Sequence, residues 1–292
     1  MNFFWAGVYS AYKFIERDVA GGATGTIVTL RFGLAALCLL VLWPWLPGKA
    51  PRQMDLLVTC IMGIIIAVIG QRLQVYGNQI GTAGNSAVLM ALEPLITSVA
   101  AAVFLGERLG PRRAAGFALG LLGVALLNGA WRPGFRWTGL GASLIFISSF
   151  VCEAAYSVIG KPVAARAGVL KILALALLAA TIVNLMIDGS NTFAAAKALS
   201  TRSWLLLLWL AIICTAVGYS LWLAVIRECP VSVAALTVFA QSIFGVAIAA
   251  LWLGERPQVY QLLGGLVIAA GLALGLSRQV RIQRSYPPPS AR

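Results

Sequence analysis

Residues 87–127 and 235–274 repeat one another. The first stretch reads AVLMALEPLITSVAAAVFLGERLGPRRAAGFALGLLGVALL and the second ALTVFAQSIFGVAIAALWLGERPQVYQLLGGLVIAAGLAL. Each is an apolar run, a Leu-Gly-Glu-Arg punctuation, and a second apolar run with spaced glycines. Leu105-Gly106-Glu107-Arg108 returns as Leu253-Gly254-Glu255-Arg256 at an offset of 148, which also carries Gly116 onto Gly264 and Gly123 onto Gly271. Self-similarity near half the chain length marks a duplicated architecture. Two halves, each ending in this helical hairpin, form one protein.

The setting of these halves follows from composition. The chain has 292 residues, is 60% apolar and 11% charged, and has a mean hydropathy of +0.90. A soluble domain is about a quarter charged. Ten apolar segments are expected, at 2–15, 26–46, 54–73, 79–105, 112–129, 138–160, 168–187, 203–226, 231–253 and 258–277. A spanning helix needs about 20 apolar residues, so runs of this kind recurring along the chain exclude a soluble domain. The first segment is short, and reaches across only by continuing through Glu16 or from an earlier start. Breakers punctuate the connections: Pro44 to Pro51, Gly110-Pro111, Arg132-Pro133-Gly134, Lys161-Pro162 and Cys229-Pro230. The longest connection is expected near 188–202, around Gly189, Ser190 and Asn191.

The net charge of +13, from 22 basic and 9 acidic residues, is spread over short connections. It forms no arm or aromatic-basic pattern, so nucleic acid is not the expected partner. With the amino end cytoplasmic, thirteen basic residues fall on the inner side, including Arg278, Arg281, Arg284 and Arg292, and seven on the outer side. The positive-inside rule therefore puts both ends in the cytoplasm. An odd number of spans per half then inverts the second half relative to the first, a common construction in transporters. The fold expected is an all-α membrane protein of ten transmembrane helices in two inverted five-helix repeats, 1–130 and 138–277, followed by a basic cytoplasmic tail, 278–292.

With no histidine and five cysteines lacking metal spacing, no metal site and no cofactor are expected. The cysteines read as small packing residues. An enzyme needs a convergent nucleophile, metal set or acid pair, and none is visible, so the chain is not read as an enzyme.

Ionisable groups inside apolar segments are costly and usually face a cavity or a partner. Glu93, beside Pro94 and midway along segment four, is the first candidate, as proton acceptor or counter-charge to a cation. A structural ion pair with Arg31 or another base is the competing reading. Asn85 lies two turns earlier, roughly 80° around the helix. Glu153 sits mid-segment with Ser149 and Tyr156 near its face. Gln241 takes the place of Glu93 in the second half, with Thr237 one turn before it. Tyr219 and Trp222 are deep enough to line a cavity, whereas Trp5 and the other tryptophans near segment ends read as an interfacial belt. Arg31 and Lys13 are charge-partner candidates. Gln71 and Gln74 belong to a polar cluster read as an outer vestibule or interface. The glycines of segments five and ten permit close helix packing, across the two halves or in a homodimer.

The Leu92-Glu93-Pro94 region, the Leu-Gly-Glu-Arg ending each half, the glycine-spaced helices after it and Arg31-Phe32 together resemble the drug/metabolite transporter superfamily, specifically its EamA-like ten-helix members. The resemblance spans essentially the whole chain. It implies an inner-membrane carrier with a central cavity flanked by helices three, four, eight and nine, with one and six contributing. It also implies that Gly106, Glu107, Arg108, Gly254, Glu255 and Arg256 form a structural motif rather than a substrate site. The function expected is a secondary transporter exporting small polar or amphipathic metabolites by alternating access, with a passive pore or a non-transporting scaffold as the alternative. No P-loop is present, so a proton gradient or exchange would supply the energy. The partners are a small-molecule substrate and the bilayer, with the chain a monomer or a homodimer.

Overall fold

Inside a bilayer every backbone N–H and C=O must be satisfied within the protein, which leaves helices as the solution for a single apolar chain of this pattern. The structure, a computed structural model, describes residues 1–19, 24–80, 88–135, 140–253 and 258–277. Its regular elements are all helical. They are α1 (Asn2–Trp5), α2 (Val8–Ile15), α3 (Thr24–Val41), α4 (Met54–Gly77), α5 (Leu92–Leu105), α6 (Pro111–Leu127), α7 (Leu140–Arg166), α8 (Val169–Ala198), α9 (Thr201–Glu228), α10 (Val231–Leu236), α11 (Ala240–Leu253) and α12 (Val259–Leu276).

Among the described residues, six helices are long and apolar enough to cross a membrane: α4, α7, α8, α9, α12 and the continuous stretch Val231–Ile248 through α10 and α11. Shorter apolar helices run over Gly25–Val41 and Leu92–Leu105. The fold is an all-α, multi-pass membrane fold.

Three places differ from the sequence expectation, and at one of them, Lys161-Pro162, expected to punctuate a connection, α7 runs through the proline to Arg166. The first apolar segment is broken into α1 and α2 at Ala6-Gly7. The expected connection at 188–202 is largely helix, because α8 runs on to Ala198. Its polar residues have partners that let it continue. Arg72 donates to Asn184 Oδ1 at 3.0 and 2.7 Å and is ion-paired with Asp188, which also accepts from Thr29 at 3.2 Å. Asn184 donates in turn to the Ala67 carbonyl at 2.9 Å. These bonds tie α8 to α3 and α4.

The two halves join most closely at α6 and α12. A Cβ added to Gly271 would lie 2.9 Å from the Gly116 carbonyl oxygen, and one added to Gly123 would lie 2.9 Å from that of Gly264. Small residues let these backbones touch, the usual basis of helix association in lipid.

The Leu-Gly-Glu-Arg punctuation of the first half is a built cap. Gly106 takes the left-handed conformation (φ +67°), which ends α5 at little cost without a Cβ. Glu107 then crosses to the start of α10. Its carboxylate accepts from the backbone N–H of Val231 at 2.7 Å and of Ser232 at 3.0 Å, and from Ser232 Oγ at 2.7 Å. Lys161 Nζ lies 3.4 Å away and also donates to the Cys229 carbonyl at 2.6 Å. One carboxylate thus holds α5, α7 and α10 together. Burial pushes the Glu107 carboxyl upward, but the Ser232 side chain, the Ser232 and Val231 backbone donors and the Lys161 charge outweigh it, leaving it below its usual range.

Candidate functional site

α4 and α9 occupy equivalent places in the two halves, and each contains a π-helical stretch, Ile65–Gly70 and Leu210–Val217. Such stretches re-aim the residues that follow them and recur at functional sites. Gly70 and Gly218, 148 apart, stand at their ends and admit a neighbour. A Cβ on Gly70 would lie 2.9 Å from Cys152 Cβ, and one on Gly218 would lie 2.8 Å from Trp5 Nε1. Immediately beyond come Gln71 and Gln74 in α4, and Tyr219 and Trp222 in α9.

Those four side chains line a cavity with a free volume of about 50 Å³. The rest of its wall is Trp5 of α1, Val8 of α2, Arg31 of α3, Met90 before α5, Glu93 of α5, Glu153 and Ser157 of α7, and Gln241 of α11. Eight of these residues form four pairs at the repeat offset of 148: Trp5 with Glu153, Gln71 with Tyr219, Gln74 with Trp222, and Glu93 with Gln241.

The polar part of the wall is a relay. Arg31 is buried, and its Nε donates to Thr215 Oγ1 at 2.7 Å. Its Nη1 donates to the Tyr12 hydroxyl at 2.6 Å and to Gln71 Oε1 at 3.3 Å. The guanidinium lies over the Phe32 ring, 5.0 Å from its centroid. Gln71 Nε2 then donates to Gln74 Oε1 at 3.1 Å and to Glu153 Oε1 at 3.4 Å. Arg31 and Glu153 are therefore linked through an amide. Among the described residues neither Arg31 nor Glu93 is in an ion pair, so the direct Arg31–Glu93 bridge considered from the sequence is absent there.

The aromatic part is held just as closely. Trp5 meets Tyr219 edge-on with centroids 5.6 Å apart and lies 6.2 Å from Trp222. Trp5 Nε1 donates to the Cys214 carbonyl at 2.8 Å, and Trp222 Nε1 to Ser157 Oγ at 3.0 Å. Gln241 Nε2 donates to the Trp5 carbonyl at 3.1 Å, fixing α1 to α11.

Of the residues singled out in the sequence, Glu93, Glu153, Gln241, Tyr219, Trp222 and Arg31 stand on this wall. Tyr156 does not. It is buried behind Tyr219, ring centroids 5.7 Å apart, and its hydroxyl has no hydrogen-bond partner among the described residues. Thr237 is also off the wall, where it accepts from Asn2 Nδ2 at its carbonyl (2.7 Å) and its hydroxyl (3.3 Å). Asn85, Gly254, Glu255 and Arg256 lie outside the described residues, as does the side chain of Lys13. Trp5, expected at the membrane interface, and Gln71 and Gln74, expected in a vestibule or interface, belong instead to the cavity. The repeat offset is the signal that identifies them, because it pairs them with Glu153, Tyr219 and Trp222.

Known proteins agree with this architecture. A solved crystal structure superposes with a TM-score of 0.75 over 97% of both chains at 16% identity, a likeness of fold alone. A probable terminal-alkyne amino-acid exporter from Streptantibioticus cattleyicolor is 26% identical over 99% of this chain and 95% of its own. A probable amino-acid metabolite efflux pump from Escherichia coli is 27% identical over 66% of this chain and 67% of its own. An uncharacterized transporter of Archaeoglobus fulgidus is 24% identical over 94% of each. The sequence profile of the EamA-like transporter family matches twice, over residues 1–129 and 139–277. With two such units accounting for nearly its whole length, the chain belongs to the EamA-like transporter family of the drug/metabolite transporter superfamily, whose members are membrane transporters of small molecules and not enzymes.

Proposed function

We propose that the chain is a secondary transporter that exports small polar or amphipathic metabolites across the inner membrane by alternating access. In this reading it has ten spans in two inverted five-helix units, 1–130 and 138–277, with both ends and the tail 278–292 in the cytoplasm. The observation that carries the proposal is the cavity whose wall is shared between repeat-equivalent positions of the two halves. A site between inverted units can be opened to either side by rocking one unit against the other. The names of the exporter from Streptantibioticus cattleyicolor and the efflux pump from Escherichia coli support outward movement of amino-acid-like solutes.

The wall chemistry fits a charged solute. Among the described residues, Glu93 and Glu153 share the cavity with a single guanidinium, that of Arg31. With both acids ionised, one negative charge is uncompensated, and a proton or a cationic group of the solute balances it. Either partner links solute movement to a second species, so proton coupling and exchange use the same two carboxylates.

The test is counterflow into proteoliposomes of the purified protein. Preloaded solute should accelerate uptake of labelled solute, saturably, for some member of a broad metabolite panel. A flux that neither saturates nor responds to preloading rejects a carrier.

A further inference from the structure

A second cavity adjoins the first. It has a free volume of about 190 Å³, larger than the polar chamber, and shares two wall residues with it, Met90 and Gln241. The rest of its wall is mainly apolar, with Ala91 and Pro94 at the start of α5, and Phe239, Gly245 and Val246 in and beside α11. Its polar members are Gln241, Ser242 and Asn128, whose Nδ2 donates to the Val124 carbonyl at 2.9 Å. The helices that carry Glu93 and Gln241 therefore line both an acidic, aromatic chamber and a mainly apolar annexe.

The two spaces suit the two ends of one molecule. Carboxylates with Trp and Tyr rings attract a cation, and most strongly where water is scarce. Arg31 is committed to Thr215, Tyr12 and Gln71, which leaves Glu93 as the carboxylate without a hydrogen bond or ion pair among the described residues. An apolar annexe gains free energy by removing hydrocarbon from water. Resting on the transporter reading above, we propose that the solute is an amphipathic ammonium compound. Its head lies between Glu93, Glu153 and the rings of Trp5, Tyr219 and Trp222, and its apolar tail passes Met90 and Gln241 into the annexe. Tail length is then read by the annexe and charge by the chamber.

Gly245 permits a direct test. Gly245 lines the annexe, and among the described residues a Cβ there meets no atom within 4 Å, so a larger side chain takes up free space beside it. Counterflow is measured in proteoliposomes with straight-chain amino acids from alanine to norleucine, and with alkylamines of matching length. Each buried methylene is worth about fourfold in affinity, so norleucine should exceed alanine by more than about tenfold in apparent affinity. Gly245→Leu should reduce that norleucine-to-alanine ratio by about tenfold, and Gly245→Ala by less. Gly265→Leu, whose Cβ likewise meets no atom within 4 Å among the described residues and which lines neither cavity, should keep the wild-type ratio. A ratio unchanged by Gly245→Leu, or equal losses along the series, would place a lipid chain or nothing in the annexe and overturn the tail assignment. Transport of other solutes without any amine or amino acid would overturn the head assignment. Amino acids carried without alkylamines would assign the head to a zwitterion, and both carried would assign it to the ammonium alone. Absence of counterflow for every solute would instead reject the transporter reading itself.

Discussion

Gln71 and Tyr219 stand 148 residues apart and line one cavity, each just beyond a π-helical stretch in its own helix. The duplication has kept the positions and changed the chemistry. Gln71 carries a relay from Arg31 to Glu153, while Tyr219 packs against Trp5 and Tyr156. The same division holds for Gln74 and Trp222, so the cavity has a polar wall and an aromatic wall.

Gln71 is the joint of the relay, and its removal should be felt in transport before stability. Gln71→Leu leaves Arg31 and Glu153 each short of one partner, a loss of about 1–3 kcal/mol in the interactions of the site. Initial counterflow rates per folded molecule should fall by about tenfold, while the protein still elutes as one species from size-exclusion chromatography.

Glu107 should behave in the opposite way. Glu107→Ala removes three hydrogen bonds and the Lys161 contact, and should cost about 2–3 kcal/mol of stability. Glu107→Gln keeps an acceptor and should cost less. Thermal unfolding in detergent measures both. Because the folded state holds this carboxyl below its usual range, its contribution is present above the unfolded value and is lost as pH falls through the folded one. Acidification below the ordinary carboxylate range should therefore destabilise the wild type more than Glu107→Gln.

The joint between the halves gives a matched pair of variants. A Cβ on Gly271 meets the Gly116 carbonyl at 2.9 Å, whereas one on Gly265, on the same helix, meets nothing within 4 Å among the described residues. Gly271→Leu must part α6 from α12, at a cost of about 1–3 kcal/mol or more, and should lower folded yield and unfolding temperature. Gly265→Leu should leave both near wild type.

Several of these features are legible in the sequence and others are not, for physical reasons. Gly106 and Glu107 are readable because a helix end needs a left-handed residue, and a carboxylate at a connection has a helix start within reach. Glu93 and Glu153 are readable because charge in mid-segment is costly anywhere but a cavity or an ion pair. Trp5, Gln71 and Gln74 are not readable from depth. They lie near the ends of apolar runs, where tryptophan and glutamine usually meet the interface, and it is the break at Ala6-Gly7 and the stretch Ile65–Gly70 that carry them to the cavity. Polar residues at 184–192 resemble a connection until Arg72 and Thr29, distant in sequence, are seen to satisfy them. The offset of 148, applied to each residue of the second half's site, recovers Trp5, Gln71 and Gln74.

The central claim is that solute binds at the shared cavity and not at the capped connections. Glu93→Gln and Glu107→Gln are isosteric changes at the two places, and counterflow per folded molecule in matched proteoliposomes compares them directly. Loss of a charged contact to the solute is worth about 1.5–3 kcal/mol, so Glu93→Gln should reduce the rate by about tenfold or more at subsaturating solute, with Glu107→Gln within about twofold of wild type. Equal losses in the two variants, with both normally folded, would contradict the account.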